Sequence, residues 1–127
     1  MEHDPNAENS MNRISFNYYA GKIRVYEKVV EVLGYPRFLQ FLINPETRNL
    51  YLRGTDKRDI NCLEVPDREF RKRNQCTLHG KSFIKRICTL SGWKLNKLHV
   101  LRGSYLPEYN MIVFPLADAL ELDSSSE

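Results

Sequence analysis

A chain of 127 residues can hold one hydrophobic core but is too short for two independent ones. Its 42% hydrophobic and 28% charged residues exclude a disordered chain, and no apolar run approaches the roughly 20 residues that span a bilayer. The net charge of +3 conceals a segregation. All 19 Lys and Arg lie between Arg13 and Arg102, whereas seven of the 16 acids sit in the two ends; nine acids against 19 bases leave the body at +10. A basic body between acidic ends implies a polyanionic partner, or ends that fold back to screen it.

Residues 1–11 carry no apolar period and read as a disordered acidic tail. Ile14, Phe16 and Tyr18 then alternate with polar residues, the signature of a half-buried strand, and Lys22–Val25 alternates again after Gly21. At Tyr26 the period changes to that of a helix, with Tyr26, Val29, Val30 and Leu33 on one stripe and Gly34 and Pro36 as stops. Phe38–Ile43 is an apolar strand interrupted only by Gln40, followed by turn residues from Asn44 to Asn49 and a returning strand, Leu50–Leu52. Residues 54–59 form a polar loop and Ile60–Val65 a short strand that Pro66 ends. After a very polar stretch, Cys76–His79 is a strand, and Ser82 caps a helix with apolar face Phe83, Ile84, Ile87 and Leu90, closed by Gly92. Leu98–Leu101 and Met111–Phe114 make a second hairpin, and residues 118–127 read as a disordered acidic tail.

The punctuation repeats. Gly21-Lys22, helix, Gly34-Tyr35, strand, Pro45-Glu46, Asn49 and strand are answered by Gly80-Lys81, helix, Gly92-Trp93, strand, Pro107-Glu108, Asn110 and strand. A fixed order of this kind implies two copies of one supersecondary unit. The expected fold is therefore α+β: a single domain, 12–117, of two similar strand-helix-hairpin units, 12–65 and 76–117, joined by a basic connector, 66–75. Its helices are expected to pack on a mainly antiparallel sheet.

No catalytic signature emerges. Gly80-Lys81-Ser82 before a helix lacks the earlier glycine of a phosphate-binding loop, since position 75 is Gln75. Cys76 and His79 stand three apart, but two ligands do not make a metal site. Cys88 belongs to an apolar helix face, and no G-x-S-x-G elbow occurs. The expectation is thus no catalytic residue, no metal and no cofactor. Three cysteines without a C-x-x-C pair, behind a polar amino terminus unlike a secretory signal, point to the cytoplasm. The strongest polar signal is the cluster Arg68, Arg71, Lys72 and Arg73, with Lys57 and Arg58 close in sequence; cations on an exposed segment supply phosphate contacts.

Residues 21–53 resemble the unit of AbrB/MraZ-type swapped-hairpin transcription factors, through Gly21, Ile23, Val25, Val29, Leu33-Gly34-Tyr35, Phe41, Ile43, Leu50, Leu52 and Arg53. MraZ-type proteins carry two such units in tandem. The resemblance implies a homodimer with interleaved hairpins and DNA contacted near the first strands, a role that carries over by position to Lys22, Arg24 and Lys28. The duplicated layout is also similar to clamp-like and TATA-binding-protein-like α+β folds, an analogy of fold alone. The resulting expectation is a non-enzymatic DNA-binding or regulatory protein, homodimeric, with duplex DNA or another polyanion as partner and no membrane. The rival is a protein–protein interaction module that binds no nucleic acid.

Overall fold

Alternation dictates the architecture. In β1 (Arg13–Asn17) Ile14 and Phe16 are fully buried while Arg13, Ser15 and Asn17 are half-exposed, and β2 (Lys22–Tyr26) repeats this with Ile23 and Val25 inside. The computed structural model describes residues 12–71 and 75–123. The remaining elements are α1 (Glu27–Val32), β3 (Phe38–Asn44), β4 (Asn49–Thr55), β5 (Cys62–Glu64), β6 (Gln75–His79), α2 (Lys81–Ser91), β7 (Lys97–Arg102), β8 (Ser104–Leu106), β9 (Met111–Pro115) and β10 (Leu120–Asp123). Single 3-10 turns occupy Arg68–Phe70 and Leu116–Asp118.

The strands form two antiparallel sheets of five, ordered β10-β7-β1-β2-β6 and β5-β3-β4-β9-β8. Their inward residues share one core, Ile14, Phe16, Ile23, Val25, Leu78 and Leu101 from the first sheet and Leu39, Phe41, Leu50, Leu52, Ile112 and Phe114 from the second. This corrects the expected α+β layout of helices packed on a mainly antiparallel sheet. The apolar strand faces do not wait for helices; the two sheets cover each other. With six residues α1 is too short to cover a sheet, and among the described residues only α2, with 11, is a helix of ordinary length. Its Phe83, Ile84, Ile87 and Cys88 enter the common core, where Phe83 meets Phe41 at 5.0 Å between ring centroids.

The order strand, helix, strand, strand occurs twice, in β2-α1-β3-β4 and β6-α2-β7/β8-β9. Both helices stop at a glycine in left-handed geometry, Gly34 (φ 85) and Gly92 (φ 70). The two stretches meet along two antiparallel seams, β2 with β6 and β4 with β9. They differ at the hairpin. β3 pairs directly with β4, whereas β7 stays in the first sheet against β1 and β10, and only β8 pairs with β9. The crossing falls at Gly103, where a Cβ would come within 2.6 Å of Ile112 and 2.7 Å of Phe114. The expected second hairpin is thus split between sheets.

Three local expectations also change. Ser82 does not cap α2: the N-cap position is Gly80 and the helix starts at Lys81. The strand expected over Ile60–Val65 is confined to Cys62–Glu64. Residues 120–123, expected in the disordered acidic tail 118–127, form β10, which pairs with β7 and is tied by Asp123 accepting from Lys97 at 2.6 Å. The tail 1–11, residues 124–127, and Lys72 and Arg73 of the connector lie outside the described residues. No helix among the described residues is long and apolar enough to cross a membrane.

Candidate nucleic-acid interface

The outer face of the first sheet is built by the same alternation that fills the core. Register places its outward residues in rows. One row runs Thr77, Arg24, Ser15, Val100 and Leu120; the next runs His79, Lys22, Asn17, Leu98 and Leu122. At the opposite end stand Gln75 and Tyr26, paired across β6 and β2, and Arg13 and Arg102, paired across β1 and β7. The face carries Arg13, Lys22, Arg24 and Arg102 with His79, and among the described residues no strand contributes an outward acid to it. Antiparallel strands sit about 4.8 Å apart, so these cations crowd one surface and raise its positive potential.

Arg13 is positioned rather than loose. Its guanidinium donates to the Tyr26 hydroxyl at 3.0 Å and lies over the Tyr26 ring, 5.0 Å from the centroid. Its Nε is buried with no hydrogen-bond partner among the described residues. Asn17 accepts from the Ala20 amide through Oδ1 at 3.2 Å, which fixes the turn into β2. Asp118 lines a cavity of about 520 Å³ at the β7–β10 side together with Val100, Arg102 and Leu120.

The cations singled out in sequence are divided by the structure. Lys22 and Arg24 fall on this face. Lys28 lies on α1 and reaches Glu31 at 3.8 Å. Arg71 is nearly buried, its side chain 10% exposed; it donates to Glu27 at 2.6 Å and through Nε to the Pro66 carbonyl at 3.0 Å. Arg71 therefore pins the connector to α1 and is not presented to a ligand. Arg68 is 71% exposed, stacked over Tyr35 at 4.8 Å and 3.9 Å from Glu27. Lys57 and Arg58 lie in the loop between β4 and β5 of the second sheet: Arg58 and Arg37 flank the buried Phe38 ring and share Glu64. Sequence reasoning missed Arg13 and Arg102 as site residues. Period-two alternation already put Arg13 on the polar side of β1, but its pairing with Arg102 is a long-range event.

Other reactive groups are withdrawn from the surface. Cys76 points into the core and His79 outward, because a strand turns residues three apart to opposite faces. All three cysteines are free and buried, and burial pushes the Cys76 thiol up to about 11. His99 shares a row with Phe16 and stacks on Trp93 at 4.4 Å, and its Nδ1 finds no partner among the described residues. Burial holds its pKa below the usual imidazole value, with the Glu121 charge and a hydrogen bond to the Lys97 backbone pulling the other way. Lys81 of the Gly80-Lys81-Ser82 stretch sits over the Tyr18 ring at 5.0 Å. Among the described residues, no three of His, Cys, Asp and Glu gather where they could hold a metal ion.

Comparison with protein-family models, curated proteins and solved structures gives no match for this chain.

Proposed function

We infer that this is a non-enzymatic DNA-binding or regulatory protein that holds the phosphate backbone against the outer face of its first sheet. The observation that carries this reading is the convergence of Arg13, Lys22, Arg24 and Arg102 on one sheet face. Phosphate contacts need cations held in place but accessible, and a pleated surface supplies both. The likeness of residues 21–53 to a swapped-hairpin DNA-binding unit agrees with it through Lys22 and Arg24. Free, buried thiols fit a cytoplasmic setting, and their burial speaks against a thiol enzyme. The test is fluorescence anisotropy of labelled DNA titrated between about 50 and 200 mM salt. With four cations engaged, log K should fall against log salt with a slope of about −3 to −4. Lys22→Glu with Arg24→Glu should abolish binding. No binding at low salt, or binding indifferent to salt, overturns the reading.

A second reading, a protein–protein interaction module, is favoured by the outer face of the second sheet. There Leu42, Tyr51, Leu106, Tyr109 and Met111 line an open apolar cavity of about 450 Å³. In a homodimer this is the face we assign to the partner. Native mass measurement with and without DNA separates the readings, and Met111→Lys should return a dimer to monomer.

A further inference from the structure

The basic face is striped, and the order of the stripes carries information. Moving from β2 outward, the first stripe is cationic, Lys22 and Arg24. The second, on β1, is small and polar at Ser15 and Asn17, with Arg13 at its far end. The third, on β7 and β10, is apolar at Val100, Leu120 and Leu122, with Leu98 almost fully buried and with Arg102 and Asp118 closing its far end. Cation, polar and apolar follow the sequence phosphate, sugar and base across one nucleotide. Lys22 and Arg24 stand two residues apart on one strand, so their Cα atoms repeat at roughly 6.6 Å along it. That step suits successive phosphates of an extended strand.

A duplex fits this surface poorly. Five strands at about 4.8 Å make a face about 19 Å across, too wide for the roughly 12 Å major groove that admits a two-stranded ribbon. The bases of a duplex would also be stacked out of reach of the apolar stripe. In a single strand they are free to turn onto Val100 and Leu120. A membrane surface is the other partner of basic and apolar groups, but an inserting face needs protruding apolar residues at its centre. Here Leu98 is 4% exposed, and Leu120, at the sheet edge, is the residue that projects, at 53%.

We propose that the outer face of the first sheet binds single-stranded nucleic acid running along β2, with phosphates on Lys22 and Arg24, sugars over Ser15, and bases against Val100 and Leu120. The inference rests on the nucleic-acid reading above and narrows its partner. Apolar contacts at Val100 and Leu120 make no hydrogen bond to base edges, so recognition there is tolerant of sequence.

The test measures anisotropy of the full chain with oligo-dT, oligo-U and a duplex of the same length, together with tryptophan-monitored binding of anionic phosphatidylserine vesicles. The single strands should bind at least about tenfold more tightly than the duplex. A preference for oligo-U identifies RNA, through its 2′-hydroxyl near Ser15, and parity or a preference for oligo-dT identifies DNA. Lys22→Gln with Arg24→Gln should reduce the salt slope by about 1.4, two single-strand phosphate contacts. Leu120→Ser, at a site exposed enough to leave folding intact, should weaken single-strand binding about fivefold without changing the slope. Equal or tighter duplex binding with no effect of Leu120→Ser overturns this inference and leaves the nucleic-acid reading standing. Absence of any oligonucleotide binding at low salt, with or without vesicle binding, overturns both.

Discussion

The Glu27–Arg71 pair decides whether the connector is a ligand-binding arm or a structural strap. Replacing Arg71 by Met and Glu27 by Gln, singly and together, isolates the pair in a double-mutant cycle. The contact is short, 2.6 Å, and the side chains are 10% and 23% exposed. It therefore lies between surface pairs, worth about 1 kcal/mol or less, and buried ones, whose disruption costs about 3–5 kcal/mol. A charge-assisted hydrogen bond of this geometry contributes about 1.5–3 kcal/mol. Arg71→Met also loses the bond to the Pro66 carbonyl, so we expect about 2–3 kcal/mol of destabilisation. Glu27→Gln keeps a neutral acceptor and should cost about 1 kcal/mol, with a coupling energy of about 1.5 kcal/mol. In urea, with a slope near 2 kcal/mol per M, the Arg71→Met midpoint should fall by about 1 M. The same variant should leave the salt slope of nucleic-acid binding unchanged. A coupling below about 0.5 kcal/mol, or a slope that drops by about one contact, would refute the assignment of Arg71 as a strap.

Further outcomes follow from the core. Gly103→Ala places a methyl group within 2.6 Å of Ile112 and 2.7 Å of Phe114, both fully buried, and should cost about 1–3 kcal/mol by thermal or urea unfolding; a neutral result would mean that the sheet crossing is plastic. His99 has a folded pKa below its unfolded value, so the native state resists its protonation. Its stability contribution is complete above the unfolded value of about 6.5 and is lost as pH falls through and below it, by at most about 1.4 kcal/mol per pH unit. The urea midpoint should therefore fall from neutral pH toward acid, and His99→Phe, which also removes an unpartnered buried nitrogen, should flatten that stretch of the profile. All three thiols should resist a disulfide reagent in the native protein and react together on unfolding; rapid modification of one would contradict their burial.

Short-range patterns were legible where they were strong. Ile14 and Phe16, Ile23 and Val25, and the stripe Phe83, Ile84 and Ile87 are buried where their periods placed them. Gly34 and Gly92 end their helices in left-handed geometry, as their position after an apolar stripe implies. The apolar run at β3, interrupted only by Gln40, is buried over its first four residues: Phe38 lies beneath two arginines, and Gln40 is satisfied by Arg53 and the Ile60 carbonyl. The helical cap at Ser82 failed because Gly80, held by its amide to the Gly21 carbonyl at 3.1 Å, already turns the chain into α2. The strand in the acidic tail was hidden because Leu120 and Leu122 are two apolar residues among acids, a pattern that pairing with β7 rescues.

Half of the candidate site was also within reach of the sequence. Lys22 and Arg24 alternate with Ile23 and Val25, so burying one pair must expose the other. For Arg71 of the basic cluster the deciding partner is distant in sequence. Charge density along a chain records neighbours in sequence, whereas Arg71 is neutralised by Glu27, 44 positions away.

By itself the sequence determined the periodicities, the glycine stops, the repeated order of elements and which side of each strand turns outward. Those properties depend on residues two to four apart and on backbone preferences that hold in any fold. Only the tertiary structure decided that the strands divide into two facing sheets, that β7 and β8 part company at Gly103, and that Arg13 stands beside Arg102. These depend on which distant strands pair, a choice made by closing the whole core at once.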